Sequence, residues 1–259
     1  MLHRAGYRYF IPVPNPIQTV RTFDLRSFEL HDMLRCGLDI RQAARNAPSL
    51  EAAATSIVRY LFGAFRDSGS GDPQLALVRF YKTMPYRELD PDLRVYAKAA
   101  LGEAPRDEGM RCLTLLATAG VEEGWNDRHE SQGHRAIPLA SVRMVHRAPM
   151  IAQLIEQMGM DVEHLVQTDP TVVPDSEGRT FNIFYVEKAP GSPYIPAQTD
   201  FVVPFGIQSV VGFGGILKGE MFAVVLFSRV PIPPTGAGRF RNIALEVKAV
   251  LHPVEKVFA

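Results

Sequence analysis

Apolar positions change their period several times along the chain, and each change marks an element. After Asp24, a residue type that caps helices, Leu25, Phe28, Met33 and Leu34 recur at roughly helical spacing, with Gly37 as a stop. Ser49 can cap a second helix whose positions Leu50, Ala54, Ile57, Val58, Leu61 and Phe65 form one apolar stripe. DSGSGDP, residues 67 to 73, is a turn by composition, and LALVRFY, residues 75 to 81, reads as a strand. Asp90 and Pro91 open a helix through about Leu101, and RCLTLLAT, residues 111 to 118, is a second strand. Residues 119 to 139 are polar, rich in glycine and non-periodic. Helical spacing returns at Met150, Ile151, Leu154, Ile155 and Met158, between Pro149 and Gly159, and a second irregular stretch covers Asp161 to Arg179.

FNIFYV, residues 181 to 186, is a strand; EKAPGSPYIP is a proline-broken loop, and AQTDFVVPFGI is at most a short helix. SVVGFGGIL, residues 209 to 217, and MFAVVLFS, residues 221 to 228, are joined by Lys218–Gly219–Glu220 as an antiparallel hairpin. A closing helix carries Phe240, Ile243, Ala244, Val247, Val250 and Leu251 on one face. The regular strand–helix alternation of a parallel sheet is missing. The order therefore predicts an α+β fold, a central antiparallel sheet of five to six strands with helices on one face and long loop inserts. Pro12, Pro14 and Pro16 make residues 1 to 23 an extended arm, followed by an N-terminal helical segment over 24 to 47, a domain over 48 to 252 and a tail over 253 to 259.

Composition narrows the class. The chain has 259 residues with 28 Lys plus Arg against 28 Asp plus Glu, so no net charge favours a nucleic-acid partner. Only Cys36 and Cys112 occur, too few for a disulfide framework, which points to a reducing compartment. No apolar run is long enough for a signal peptide or a membrane helix, so a cytoplasmic location without membrane contact is expected.

The run from Gly206 to Leu251, GIQSVVGFGGILKGEMFAVVLFSRVPIPPTGAGRFRNIALEVKAVL, resembles the end of a GAF domain: a turn into a strand, a hairpin with Gly and Glu, a second strand, a proline-containing loop and a last helix. APSLEAAATSIVRYLFGAFRD is similar to the first helix of that family, PQLALVRFY to its first strand and RCLTLLATAG to its second. The resemblance covers roughly residues 48 to 251, with inserts near 84 to 108 and 120 to 180. It is most like the cytoplasmic sensory segment ahead of bacterial histidine kinases, which has stretches similar to MRCLTLLATAG, WNDR, GHRAIPL and SPYIPAQ.

The departures from the family matter as much. The Asn-Lys-Phe-Asp-Glu signature of cyclic-nucleotide binders cannot be laid on this chain, and neither cysteine is followed by the histidine common at bilin attachment sites: Cys36 precedes Gly37 and Cys112 precedes Leu113. Methionine sulfoxide reductases of this family use several cysteines, whereas only Cys112 lies in the matching region.

Trp125, Asn126, Asp127 and Arg128 form the most singular tetrapeptide, able to present an indole face, an amide, a carboxylate and a guanidinium to a small ligand, or to anchor a loop. His134, Phe184 and Tyr194 complete the ligand-binding candidates, although aromatic strand residues such as Phe181, Phe184 and Tyr185 ordinarily serve as core. His129, Glu130 and His134 miss the H-E-x-x-H spacing by one residue. His129, His134 and Cys112 are chemically suited to zinc or iron, and His134 or His146 to haem, but the sequence requires neither metal nor cofactor. Gly212, Gly214 and Gly215 sit inside a strand, which argues for a bulge or close packing rather than a dinucleotide loop.

The expectation is a non-catalytic, small-molecule-sensing regulatory module with a pocket between the sheet and the inserts at 119 to 139 and 181 to 205. It would work as a homodimer through its N- and C-terminal helices, with a histidine kinase or another signalling partner reached by contact. The alternatives are an enzyme on the same fold, metal-assisted or redox-active through Cys112, and an interaction module with a filled core.

Overall fold

The structure, a computed structural model, describes residues 21–103, 105, 107–131, 133–166 and 183–258. Most of the expected arm over 1 to 23 and the beginning of the expected strand over 181 to 186, including Phe181, lie outside the described residues.

Each helix is bounded by local chemistry. Helix α1 (Leu30–Ala43) starts at a capping box in which Glu29 and Asp32 exchange backbone and side-chain bonds. Helix α2 (Leu50–Ala64) is capped by Ser49, which accepts from the Ala52 amide at 3.1 Å. Strand β1 (Leu75–Pro85) follows, then α3 (Pro91–Leu101), which has Asp90 as its cap and ends on left-handed Gly102. After β2 (Arg111–Gly120) and a short β3 (Ala136–Pro138) come three insert helices, α4 (Val142–His146), α5 (Pro149–Gln157) and α6 (Val162–Val166). The chain closes with β4 (Phe184–Val186), a π-helical turn at Gln198–Val202, the hairpin β5 (Ser209–Leu217) and β6 (Glu220–Ser228), and α7 (Pro234–Leu251).

The six strands form one antiparallel sheet in the order β3-β2-β1-β6-β5-β4. This is the expected α+β sheet at the upper end of the expected strand count. At its centre the last strand, β6, pairs with the first, β1, so the core closes only when both ends of the domain have met.

Alternation along β1 sends Val78 and Phe80 into the layer of α1, α2 and α7. That layer holds an aromatic cluster in which Phe240 of α7 stacks on Phe28 at 5.3 Å and on Phe213 of β5 at 5.4 Å, with Phe65 against Phe28 at 5.4 Å. Burying each such ring contributes about 1.5–3 kcal/mol, which makes the N-terminal segment part of the core. Leu77, Tyr81, Val225 and Phe227 point to the opposite face, where Leu154, Ile155 and Met158 of α5 and Val162 of α6 cover the sheet. The inserts thus add a second helical layer to the one expected.

The glycines of β5 mark close packing. A Cβ on Gly214 would stand 2.0 Å from the carbonyl oxygen of Phe222 and 2.8 Å from Cε of Met158, and the β5–β6 register runs without a bulge.

Candidate functional site

Between the sheet and its insert layer lies a cavity of about 420 Å³, within the range of small-molecule sites. Three cross-strand pairs make its floor: Leu77 opposite Phe227, Arg79 opposite Val225, and Tyr81 opposite Ala223. The N-terminal half of α5, including Met150, Ile151 and Leu154, forms one wall, and Ile195, Pro196, Ala197 and Phe201 another; Trp125, His134 and Ile137 also line it.

Local chemistry positions this cover. Asn126 clamps the turn that carries Trp125: its Oδ1 accepts from the Gly120 amide at 3.1 Å, and its Nδ2 donates to the carbonyls of Gly120 at 3.0 Å and Glu122 at 2.9 Å. Trp125 then meets Phe205 at 4.5 Å and Phe201 edge-on at 5.7 Å, and Phe201 stands edge-on to Phe227 of the floor at 5.0 Å. Phe201 is presented by the π-helical turn, and Gln198 of the same turn ties the preceding loop by donating to the carbonyls of Ala189 at 3.1 Å and Ile195 at 2.7 Å. His134 follows left-handed Gly133 and itself has φ 57°, an uncommon conformation for a residue with a side chain.

The charge of the cavity is one-sided. Arg79 and Arg147 line it and, among the described residues, no Asp or Glu does. Arg79 Nη1 donates to Tyr81 Oη and Nη2 to Ser131 Oγ, both at 3.2 Å, while its Nε is buried without a partner. Thr118, opposite Arg79 across the β1–β2 ladder, likewise buries its Oγ1 without a partner. Leaving a buried polar group unsatisfied costs about 1–3 kcal/mol, so two adjacent ones are informative. Burial against the cavity wall, followed by the charge of Arg79, lowers the pKa of His134, although the residue keeps an exposed edge. At pH 7 its imidazole is neutral.

Of the seven sequence candidates, Trp125 and His134 line the cavity. Asn126 is the loop clamp described above, and Asp127 accepts from the His129 amide at 2.8 Å. Arg128, 7% exposed, holds Glu51 of α2 through Nε and Asp90 of α3 through Nη2, the latter at 3.0 Å; it joins two helices rather than the cavity lining. Phe184 is wholly buried in the core beside Gly212, and Tyr194 is 38% exposed next to the lining residue Ile195.

Cys112 is enclosed by Met84, Leu93, Ala97 and Met110, where burial pushes its thiol up to about 12. His129 lies 3.8 Å from Asp92 of α3, and His146, exposed on the last turn of α4, does not line the cavity. Among the described residues no group of three or more His, Cys, Asp or Glu side chains is arranged to hold a metal ion. No helix of the described residues is long and apolar enough to cross a membrane.

Sequence reasoning passed over Arg79, Phe201 and Phe227. Arg79 carried a readable signal, since it is the single charge inside LALVRFY. Phe201 and Phe227 carried none: one sits in an irregular segment, and the other looks like any core aromatic.

Two further hollows exist. One of about 600 Å³, more open to solvent, lies where the end of α1 meets the end of α7. The other, about 420 Å³, is bordered by Lys82 and by Arg111, which pairs with Glu220 at 3.2 Å.

No family model matches this chain, and no curated protein matches its sequence. Solved structures do resemble it. The GAF domain of a phosphoenolpyruvate-protein phosphotransferase (ptsP) from Coxiella burnetii is 13% identical with a TM-score of 0.44, the match covering 85% of this chain and 93% of that one. The photosensory core module of a Stigmatella aurantiaca phytochrome is 9% identical with a TM-score of 0.39, over 87% of this chain and 37% of that one. The chromophore-binding domain of the bacteriophytochrome RpBphP3 from R. palustris is 11% identical with a TM-score of 0.35, over 86% of this chain and 63% of that one.

Proposed function

We propose that this chain is a non-catalytic regulatory module of GAF-like fold that binds a small molecule between its sheet and its insert layer. The observation that carries the reading is the cavity itself: apolar walls, an aromatic cover and a few convergent polar groups over the centre of the sheet. The cover comes from segments that the strands do not fix, so a ligand that fills the space would draw Trp125, Phe201 and the start of α5 together.

The far face of the sheet supplies an output surface. Leu30, Leu34 and Leu38 recur every four residues along α1 at 59%, 57% and 63% exposure, and Leu245 of α7 is 52% exposed. Such a stripe suits an isologous contact with a second copy, the homodimer through which a histidine kinase or another partner would be addressed.

The redox alternative is weakened by Cys112, because the reactive species of cysteine is the thiolate and burial holds this thiol protonated.

The test is thermal melting with small aromatic probes, beginning with the neutral 2-naphthylmethanol. The wild-type protein should melt at a higher temperature as probe is added, and Val225→Phe, which fills the floor, should fold yet give no shift. A wild type that melts unchanged with every probe of this size overturns the reading.

A further inference from the structure

We infer that the ligand is an organic anion, a carboxylate on a flat apolar body, whose charged oxygens are received by Arg79 and Thr118. The inference rests on the reading of the cavity as a ligand site and adds the chemistry of the ligand to it.

Four observations converge. Arg79 projects from the middle of β1, the strand flanked by β2 and β6, so its guanidinium enters the site from the sheet itself rather than from a loop. Two of its nitrogens are already held by Tyr81 Oη and Ser131 Oγ, which fixes the plane of the group and leaves Nε unengaged. Neither of those partners is charged, so the cation has no counter-ion in an ion pair among the described residues. Thr118, directly across the ladder from Arg79 and behind the cavity lining rather than in it, adds a second unpartnered donor next to the guanidinium.

A carboxylate satisfies these groups together. One oxygen accepts from Arg79 Nε, and the Thr118 hydroxyl donates to the same group in charge-assisted bonds. A neutral ligand would leave the guanidinium uncompensated, and an ammonium would be repelled by Arg79 and Arg147. The remaining surface sets the other half of the ligand: Phe201, Phe227, Leu77 and Leu154 offer rings and branched aliphatic groups without donors, and Trp125 adds a ring face with its indole N–H as the one donor of this set, which suits a planar, largely hydrocarbon body. His134, neutral at pH 7, adds a polar rim without cancelling the positive field.

The experiment compares three probes of one shape on the full chain by calorimetry: 2-naphthoate, 2-naphthylmethanol and 2-naphthylmethylammonium. Wild-type protein should bind the acid at least about tenfold more tightly than the alcohol, with the ammonium weakest. Arg79→Met should bring the acid-to-alcohol affinity ratio to about one, whatever it does to either affinity alone, and Thr118→Val should reduce that ratio several-fold. If Arg79→Met does not fold by circular dichroism, Thr118→Val and the wild-type acid-to-alcohol ratio decide. Equal binding of acid and alcohol overturns the anion inference and leaves the cavity reading standing. So does a preference for the acid that both variants keep. If none of the three probes binds, the cavity reading itself fails and the inference falls with it.

Discussion

The indole of Trp125 lies so close over Gly120 that a Cβ added there would stand 2.7 Å from Cε3 and 3.0 Å from the carbonyl oxygen of Ala76. The last residue of β2 is therefore where the sheet admits the cavity's aromatic cover. Gly120→Ala must push Trp125 away from Phe205 or distort the strand, since the Ala76 contact is backbone. The variant should lose about 1–3 kcal/mol of stability in denaturant unfolding, and the emission of Trp125 should shift in the folded state. Because this is the chain's one tryptophan, the signal has a single source.

Arg128 joins α2 to α3 through Glu51 and Asp90, and Asp90 also caps α3 by accepting from the Leu93 amide at 2.9 Å. Arg128→Met removes the guanidinium that holds both the Glu51 and the Asp90 carboxylates. We expect a loss of roughly 2–3 kcal/mol, at the low end for breaking a buried ion pair because both acids keep some water contact. Chemical unfolding measures it, and probe binding to the folded fraction should be unchanged.

His134 provides the pH dependence. Its folded pKa lies below the unfolded value of 6.5, so the unfolded chain binds more protons between those two values. Stability therefore falls as pH drops below about 6.5 and levels off once the folded imidazole is also protonated. NMR titration of the His134 ring protons should give a midpoint below the unfolded value of 6.5. His134→Gln should unfold with a flatter dependence over the same interval.

The proposed dimer contact puts the leucine stripe of α1 at its centre. Leu34→Glu, at a position 57% exposed, should shift the sedimentation profile from dimer to monomer and leave the melting temperature within a few degrees. A wild type that sediments as a monomer at micromolar concentration would contradict the proposed contact.

The sheet and helices α2 and α7 were legible in the sequence because period carries them: alternation or an unbroken apolar run for strands, an i, i+3, i+4 stripe for helices. Helix α1 was not: it begins only at Leu30 and runs through the expected stop at Gly37 to Ala43, with Leu34 exposed rather than on the buried face. Phe240, Ile243 and Val247 are buried on α7 along the predicted stripe, and β5 and β6 meet around the expected Lys218–Gly219 turn. Of the insert layer, α5 was legible between Pro149 and Gly159, but α4 and α6 were not, since they span only five residues each, too short for a period to show. Strand β3, three residues long, exists because Ala136–Pro138 finds the edge of β2. The WNDR tetrapeptide drew attention for its chemistry, yet its roles divide: Trp125 faces the cavity while Asn126 and Arg128 hold backbone and helices in place. Which of four adjacent residues turns inward depends on the register of the turn, and that is fixed by the clamp on Gly120 rather than by residue type.

The central claim is that the space between β1, β6 and α5 receives a ligand. The most direct measurement is a crystal structure of the protein grown with 2-naphthylmethanol, the neutral probe that makes no demand on Arg79. The naphthalene ring is expected between Trp125, Phe201 and Phe227, above the Arg79–Val225 pair. A ring bound elsewhere on the surface, or side chains of the insert layer packed into that space with no room left, would contradict it.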